Sequence, residues 1–283
     1  MSVVATRLRE GARRVGATLV DSTTNAGYSL VLAWRALRWV AVPSQLWKRR
    51  GPILRQMYVA GIESIPVTLV VALFIGFLLS LSAGVELARY GQQAVVGQLV
   101  AIAVCREFGP FMTGLILAAN VGSSMAAELG TMKVSEEIDA LEVMSIDPAR
   151  FLVLPRLLAM MVMTPLLTVF SDVVAIIGGG IIGKFQLNVS WAKYYENVLE
   201  GLTAANAGFP FYAGKHIYTG LTKAFVFGFL IAVVSCSEGL RTSGGAVGVG
   251  KATRSSVITC YLLILIFGYF LTALFYGKGT SSL

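Results

Sequence analysis

The sequence predicts an all-α polytopic membrane protein: five transmembrane helices, an interfacial amphipathic helix before them, and a charged cytoplasmic helix between spans 2 and 3. Three observations carry that prediction. Hydrophobic residues are 56% of the 283-residue chain and charged ones 13%, against about 25% charged in soluble domains. Uncharged runs at 64–85, 108–127 and 255–277 reach the length that crosses a bilayer, about 20 residues, and 157–183 and 217–237 do so with Asp172 and Lys223 inside them. Between two of these runs, residues 128–155 (ELGTMKVSEEIDALEVMSIDPARFLVLP) hold six of the fifteen acidic residues, a helix-prone island that belongs in water.

Taken in chain order, a basic N-terminal region covers 1–60 and one integral domain covers 61–283, with spans at about 62–85, 94–127, 157–183, 217–238 and 255–277. Residues 28–58 mix Trp34, Trp39 and Trp47 with Arg35, Arg38, Lys48, Arg49 and Arg50, the composition of a helix lying in the headgroup plane. No compact apolar run ending in a small-residue cleavage site follows the first basic residues, so no secretory signal is read there. Ten Lys/Arg precede residue 61, the island adds Lys133, Arg150 and Arg156, and the expected 238–255 connection adds Arg241, Lys251 and Arg254. This asymmetry places the N-terminus, the island and that connection in the cytoplasm and the C-terminus outside. The net charge of +8 therefore reads as topology and contact with anionic lipid, with no call for nucleic acid.

Small residues recur every four positions in the first two spans: Ala72, Gly76, Ser80, Gly84 and Gly114, Ala118, Gly122, Ala126. Each row makes a flat helix face that another backbone can approach closely, within the chain or across a dimer. Arg106 and Glu107 lie deep in the second span, and charges there require a partner, a cavity or a polar ligand. Adjacent helical residues point about 100° apart and do not face each other. Pro110 breaks the hydrogen-bond ladder a turn later, which predicts a kink beside the charges. A structural ion pair and a role in a transport cavity both remain open readings.

Catalytic and metal chemistry find no support. The stretch GAVGVGKAT from Gly245 nearly spells a phosphate-binding loop, but Ala252 stands where a magnesium-ligating hydroxyl is required and a membrane span precedes it where a strand is needed. It reads as a Gly-rich cytoplasmic loop before the last span. Cys105, Cys236 and Cys260 lie in or beside apolar runs, which disfavours a disulfide framework. The single histidine, His216, forms no standard metal spacing with them, and no metal ligands or catalytic set are assigned.

The residues REFGP at 106–110, AAELGTMKVSEEIDALEVM at 126–144, Asp147-Pro148, Pro155-Arg156, the GGAVGVGKAT loop and TALF at 272–275 closely resemble the MlaE/YrbE permeases. These are membrane subunits of ABC transporters that move lipids together with MCE-domain proteins, and the likeness covers about residues 50–277. It implies a homodimer, a separate cytoplasmic P-loop ATPase that carries ATP and Mg, and an MCE-domain lipid-binding partner on the periplasmic side. It makes the island a coupling helix, with Glu128, Lys133, Glu136, Glu137, Ile138, Asp139, Leu141, Glu142 and Met144 as ATPase-coupling residues. Ile138, Leu141 and Met144 would be the apolar anchors; the spacing from Glu136 to Pro155 is loosely similar to the cytoplasmic loop of classical ABC importer permeases, with Glu142 in place of their usual glycine. It nominates Leu79, Leu87, Tyr90, Arg106 and Glu107 for a phospholipid or other lipid site between two copies, lined by the first and second spans. Asn120 departs from the arginine common at that place, and Glu86 adds a charge near the expected pocket mouth. The chain itself is not expected to be an enzyme or to hold a cofactor. Its expected place is the bacterial inner membrane as a multi-pass protein, with the plastid inner envelope as the alternative. The rival reading from another class is a stand-alone secondary transporter with Arg106, Glu107 and Asp172 as an intramembrane relay. Inverted repeats would favour it, and none is evident in the sequence.

Overall fold

Apolar segments in hydrocarbon must satisfy their own backbone groups, and a helix does this within one segment. The computed structural model describes residues 27–36, 38, 50–203 and 214–277, and all regular structure among them is helical. Five helices are long and apolar enough to cross a membrane: Arg50–Arg89, Gln93–Val134, Ala149–Phe185, Lys215–Leu240 and Gly245–Tyr276. We refer to them as spans 1 to 5. Spans 1 and 2 contain 40 and 42 residues; at 1.5 Å per residue each is about 60 Å long, roughly twice the hydrocarbon thickness. Both therefore extend well past it.

The first described helix, α1, covers residues 27–36. Leu32, Ala33 and Ala36 are buried on one side, while Leu30, Val31 and Trp34 are exposed on the other, an arrangement suited to the headgroup region. Span 1 is α2 (Arg50–Gly61), a 3₁₀ turn (Ile62–Ser64) and α3 (Ile65–Arg89). Of the expected interfacial helix over 28–58, the described residues are 28–36, 38 and 50–58. Residues 50–58 lead directly into span 1, because Ala60 and Gly61 are buried and Gly61 rests on Met163 of span 3. Trp39, Trp47, Lys48 and Arg49 lie outside the described residues.

Span 2 is α4 (Val96–Ala103), α5 (Gly109–Leu117) and α6 (Ser123–Val134), joined by π-helical turns at Val104–Phe108 and Ala118–Gly122. The first three residues, Gln93–Val95, form a 3₁₀ turn. A short helix α7 (Glu137–Val143) and a π-turn (Ala149–Val153) lead to α8 (Leu154–Phe185), the body of span 3. Helix α9 (Trp191–Thr203) caps the far end of the bundle, and α10 (Lys215–Leu240) and α11 (Gly245–Tyr276) are spans 4 and 5. Span 3 is central: α8 packs on α2, α3, α4, α5, α9 and α10, whereas α11 packs on α10, α5 and α6.

Both small-residue rows are seams within the chain. Ala72, Gly76, Ser80 and Gly84 are all buried on α3, where a Cβ at Gly76 would strike the Ala175 backbone and Ser80 donates to the Gly179 carbonyl at 2.8 Å. In the second row Gly114 meets Phe227 and Ile264, and Gly122 meets Ser235 and Ile231. At the far end Tyr194 of α9 is fully buried and fits beside Gly97, Gly179, Gly180 and Gly183. Its hydroxyl donates to the Ile176 carbonyl at 3.2 Å.

The connection before span 5 is shorter than the expected 238–255. Only residues 241–244 separate the two helices, and Gly245 already begins α11. Gly244 and Gly245 take φ values of 87° and 69°, a left-handed conformation that glycine adopts without steric cost. Helix formation starts inside the Gly-rich stretch because Ala252, Ser256, Cys260 and Ile264 form a buried row, with Ser256 donating to Ser235 of span 4 at 2.9 Å.

Candidate functional site

The π-turn at Val104–Phe108 inserts an extra residue into one turn of span 2 and sits where such bulges often mark function. It carries Arg106 and Glu107, and Pro110 stands just after it. Proline has no N–H, so the carbonyl four residues before it, that of Arg106, loses its helical donor. Lys223 of span 4 supplies one: its Nζ donates to Arg106 O at 3.0 Å. The same ammonium donates to Glu107 Oε2 at 2.7 Å and to Thr272 Oγ1 of span 5 at 2.7 Å. Thr272 Oγ1 lies 3.0 Å from Glu107 Oε1 and 2.9 Å from the Gly268 carbonyl, with one proton to offer them. Lys223 is 1% exposed, and its three donors meet three acceptors.

Glu107 therefore pairs mainly across helices. Arg106 Nε is 3.7 Å from Glu107 Oε1, too long for a hydrogen bond. Its guanidinium instead lies 5.0 Å from the centre of the Tyr276 ring, which Lys215 also approaches at 4.6 Å, both within cation–π range. His216 Nδ1 is 2.9 Å from the Tyr276 hydroxyl. Glu107 and Thr272 also border a groove of about 330 Å³ whose other walls are Phe111, Ile264, Leu265, Gly268 and Tyr269. One edge of this groove is ionic and the rest is apolar.

The nominated lipid residues separate within one chain. Leu79 and Leu87 pack beside the α3–α4 cluster of Ala72, Val96 and Val100, and Tyr90 is 78% exposed at the end of α3. Arg106 and Glu107 point toward spans 4 and 5, away from the expected span 1 and span 2 lining. Asn120 is exposed on the second π-turn, and Glu86 forms an exposed ion pair with Arg89 at 3.3 Å. Asp172 lies against Gly109, and its Oδ1 has no hydrogen-bond partner. Among the described residues no hydrogen bond or ion pair joins it to the Glu107–Lys223 cluster, whereas the relay reading requires a connection. The sequence reading missed Lys223 and Thr272 as partners of Glu107. A lone ammonium inside an apolar run was the available signal, since it demands a carboxylate elsewhere in the bundle.

The island divides into three parts. Glu128 and Lys133 belong to α6, the extension of span 2. Lys133 forms an ion pair with Asp139 of α7, and Glu136 turns the chain between them at φ 59°. Ile138 is 3% exposed and joins the core that contains Leu32 and Ala33 of α1, with Leu141 partly buried against it. Of the three expected apolar anchors only Met144 faces outward, at 69% exposed, beside Val143 at 87%. Glu136, Glu137, Asp139 and Glu142 are exposed around them. Asp147 accepts from the Ala149 N–H at 3.0 Å, which fixes the start of the return toward span 3. Helix α1 is held over this region by Ser29 donating to Ser237 at 2.7 Å and by Arg241, 5.5 Å from the centre of the Tyr28 ring. Burial pushes the Tyr28 hydroxyl above its usual range while Arg241 pulls it back.

Comparison with known proteins agrees with this architecture. A probable ABC transporter permease protein of Rickettsia conorii is 36% identical over 224 residues, covering 79% of this chain and 83% of the relative. The intermembrane phospholipid transport system permease protein MlaE of Haemophilus influenzae is 30% identical over 235 residues, 83% of this chain and 87% of its own length. The chloroplastic protein TRIGALACTOSYLDIACYLGLYCEROL 1 of Arabidopsis thaliana is 32% identical over 256 residues, 88% and 70%. The family model described as Permease MlaE matches residues 53–274, all five spans except for a few residues at either end, and the chain belongs to this family of multi-pass inner-membrane permeases.

Proposed function

We propose that this chain is the membrane-spanning subunit of an ABC transporter that moves a phospholipid or similar lipid between the inner membrane and an MCE-domain partner. The observation that carries the reading is the Glu107–Lys223–Thr272 cluster at the edge of the apolar groove. A lipid needs both surfaces: acyl chains lie along Phe111, Leu265 and Tyr269, and a phosphate is drawn to Arg106, which has no hydrogen-bonded carboxylate of its own. Two copies of the chain would complete the path, because span 5 presents an exposed apolar face that includes Leu262, Leu265, Tyr269 and Phe270.

Hydrolysis belongs to a separate cytoplasmic P-loop ATPase with its own Mg. The exposed face of α7, Val143 and Met144 ringed by Glu136, Glu137, Asp139 and Glu142, fits an apolar groove with a basic rim. The Lys/Arg asymmetry assigns this end of the bundle to the cytoplasm and α9 to the periplasmic face, where the MCE partner would dock. ATP binding would close the two ATPase subunits, shift α7 in both copies and rock the spans around the groove.

Purification from membranes with the associated chains and lipids tests the reading. Co-purification of a P-loop ATPase, an MCE-domain protein and phospholipid is the expected result. A chain that purifies alone, and moves a solute in vesicles without ATP, would establish a secondary transporter instead.

A further inference from the structure

We infer that Glu128 and Arg156 form a positioning clamp that closes the base of the α7 segment and makes spans 2 and 3 move with it. Arg156 Nη2 donates to Glu128 Oε2 at 2.8 Å, and Nη1 donates to the Leu152 carbonyl at 3.0 Å. The arginine is 6% exposed. Glu128 lies on α6 and Arg156 on the third residue of α8, so one ion pair joins the spans on either side of the 27-residue stretch 129–155. The inference rests on the proposed docking of an ATPase on α7.

The placement is costly in isolation. A buried guanidinium loses its water. Arg156 carries that penalty, and Glu128 offsets it only while α6 and α8 hold their present separation. Two smaller contacts continue the clamp: Lys133 to Asp139 at the α6–α7 turn and the Ala149 N–H to Asp147 at the return. Ile138 fixes the middle of the segment to the core. On the other side of α6, Gly239 of span 4 packs on Ala126 and Leu129. A push on Val143 and Met144 therefore reaches spans 2 and 3 through a braced loop and has little slack to absorb it. Glu128, placed by the family likeness among the ATPase contacts, is assigned here to an internal partner.

The test uses the full chain purified with its ATPase and reconstituted in phosphatidylethanolamine–phosphatidylglycerol vesicles carrying a fluorescent phospholipid. Three quantities are read: ATPase retained, ATP hydrolysed, and lipid moved per ATP. Glu128→Gln and Arg156→Gln are expected to retain the ATPase and its turnover, while lipid moved per ATP falls about five-fold or more, within the range of coupling changes from single substitutions. The exchange of Glu128→Arg with Arg156→Glu is expected to restore at least half of the ratio, since it keeps the pair. Loss of the ATPase in Glu128→Gln overturns the clamp in favour of direct docking, and an unchanged ratio in both single variants overturns it outright. If the single variants fail to assemble, the exchanged pair decides: an assembled exchange with a native ratio supports the clamp, and one that assembles but stays uncoupled, or does not assemble, overturns it. A native chain that retains no ATPase overturns the proposed function and the clamp together, an outcome distinct from the others.

Discussion

Lys223 binds the site together, because its ammonium donates across to span 2 at Arg106 O and Glu107 and to span 5 at Thr272. Removing its carboxylate leaves a buried charge with neutral partners, a change that costs about 3–5 kcal/mol in buried pairs and nearer 1 kcal/mol where a membrane environment lets both states find other partners. Glu107→Leu is therefore expected to lower the thermal unfolding midpoint in detergent, and adding Lys223→Leu is expected to recover most of it, because the paired change removes both desolvation costs. Lipid transfer should recover in neither variant. Recovery of transfer in the paired variant would assign the cluster to scaffolding alone. The pairing was not legible in the sequence. Arg106, Glu107 and the kink-forming Pro110 were visible as a deep polar site, but which ammonium faces Glu107 depends on the rotation of three helices, and the π-turn that sets one of those rotations leaves no pattern in the residues.

At the scale of elements, the α3–α8 seam depends on the absence of side chains. A Cβ at Gly76 would lie 2.0 Å from the Ala175 carbonyl oxygen, and backbone cannot yield as a flexible side chain can. Gly76→Ala is expected to destabilise the bundle by about 1–3 kcal/mol, the usual cost of overpacking. Gly51→Ala, in a helix with open space around it, should hold or raise the unfolding midpoint, and thermal unfolding of the two variants checks the contrast. Helix α7 has two faces with separate consequences. Met144→Asp together with Val143→Asp should release the ATPase while the chain stays folded, and Ile138→Asp should unfold the segment and reduce yield; co-purification and size-exclusion profiles distinguish them. The four-residue repeat of small side chains made the seams legible, because a close helix contact requires it at every turn. The inward turn of Ile138 was not, since the core it joins includes Leu32 and Ala33, a hundred residues away on α1, and helical spacing alone gives no sign of which face meets that core.

Over the whole molecule, five spans place the two ends of the bundle on opposite sides of the membrane, and the basic residues choose between them. Cysteines introduced at Ser135 and Gln92, both exposed, should be labelled from the cytoplasmic and periplasmic sides respectively. Labelling of both from one side would remove the five-span topology. Hydropathy made this level the most legible, since a helix in lipid must be continuous and apolar over about 20 residues. It did not fix where helices run on into water, as spans 1 and 2 do, because those extensions are ordered by packing of α2 on span 3 and of α6 on spans 4 and 5 and on α7. The central claim is that the polar-edged groove at Glu107 is the lipid path of an ATP-driven permease. It is tested most directly by following labelled phospholipid between vesicles and the MCE-domain acceptor with the reconstituted complex, comparing the native chain with Glu107→Gln. ATP-dependent transfer by the native complex, reduced about ten-fold or more in Glu107→Gln with the ATPase still bound, is the predicted result; native transfer in Glu107→Gln, or transfer that ignores ATP, would contradict it.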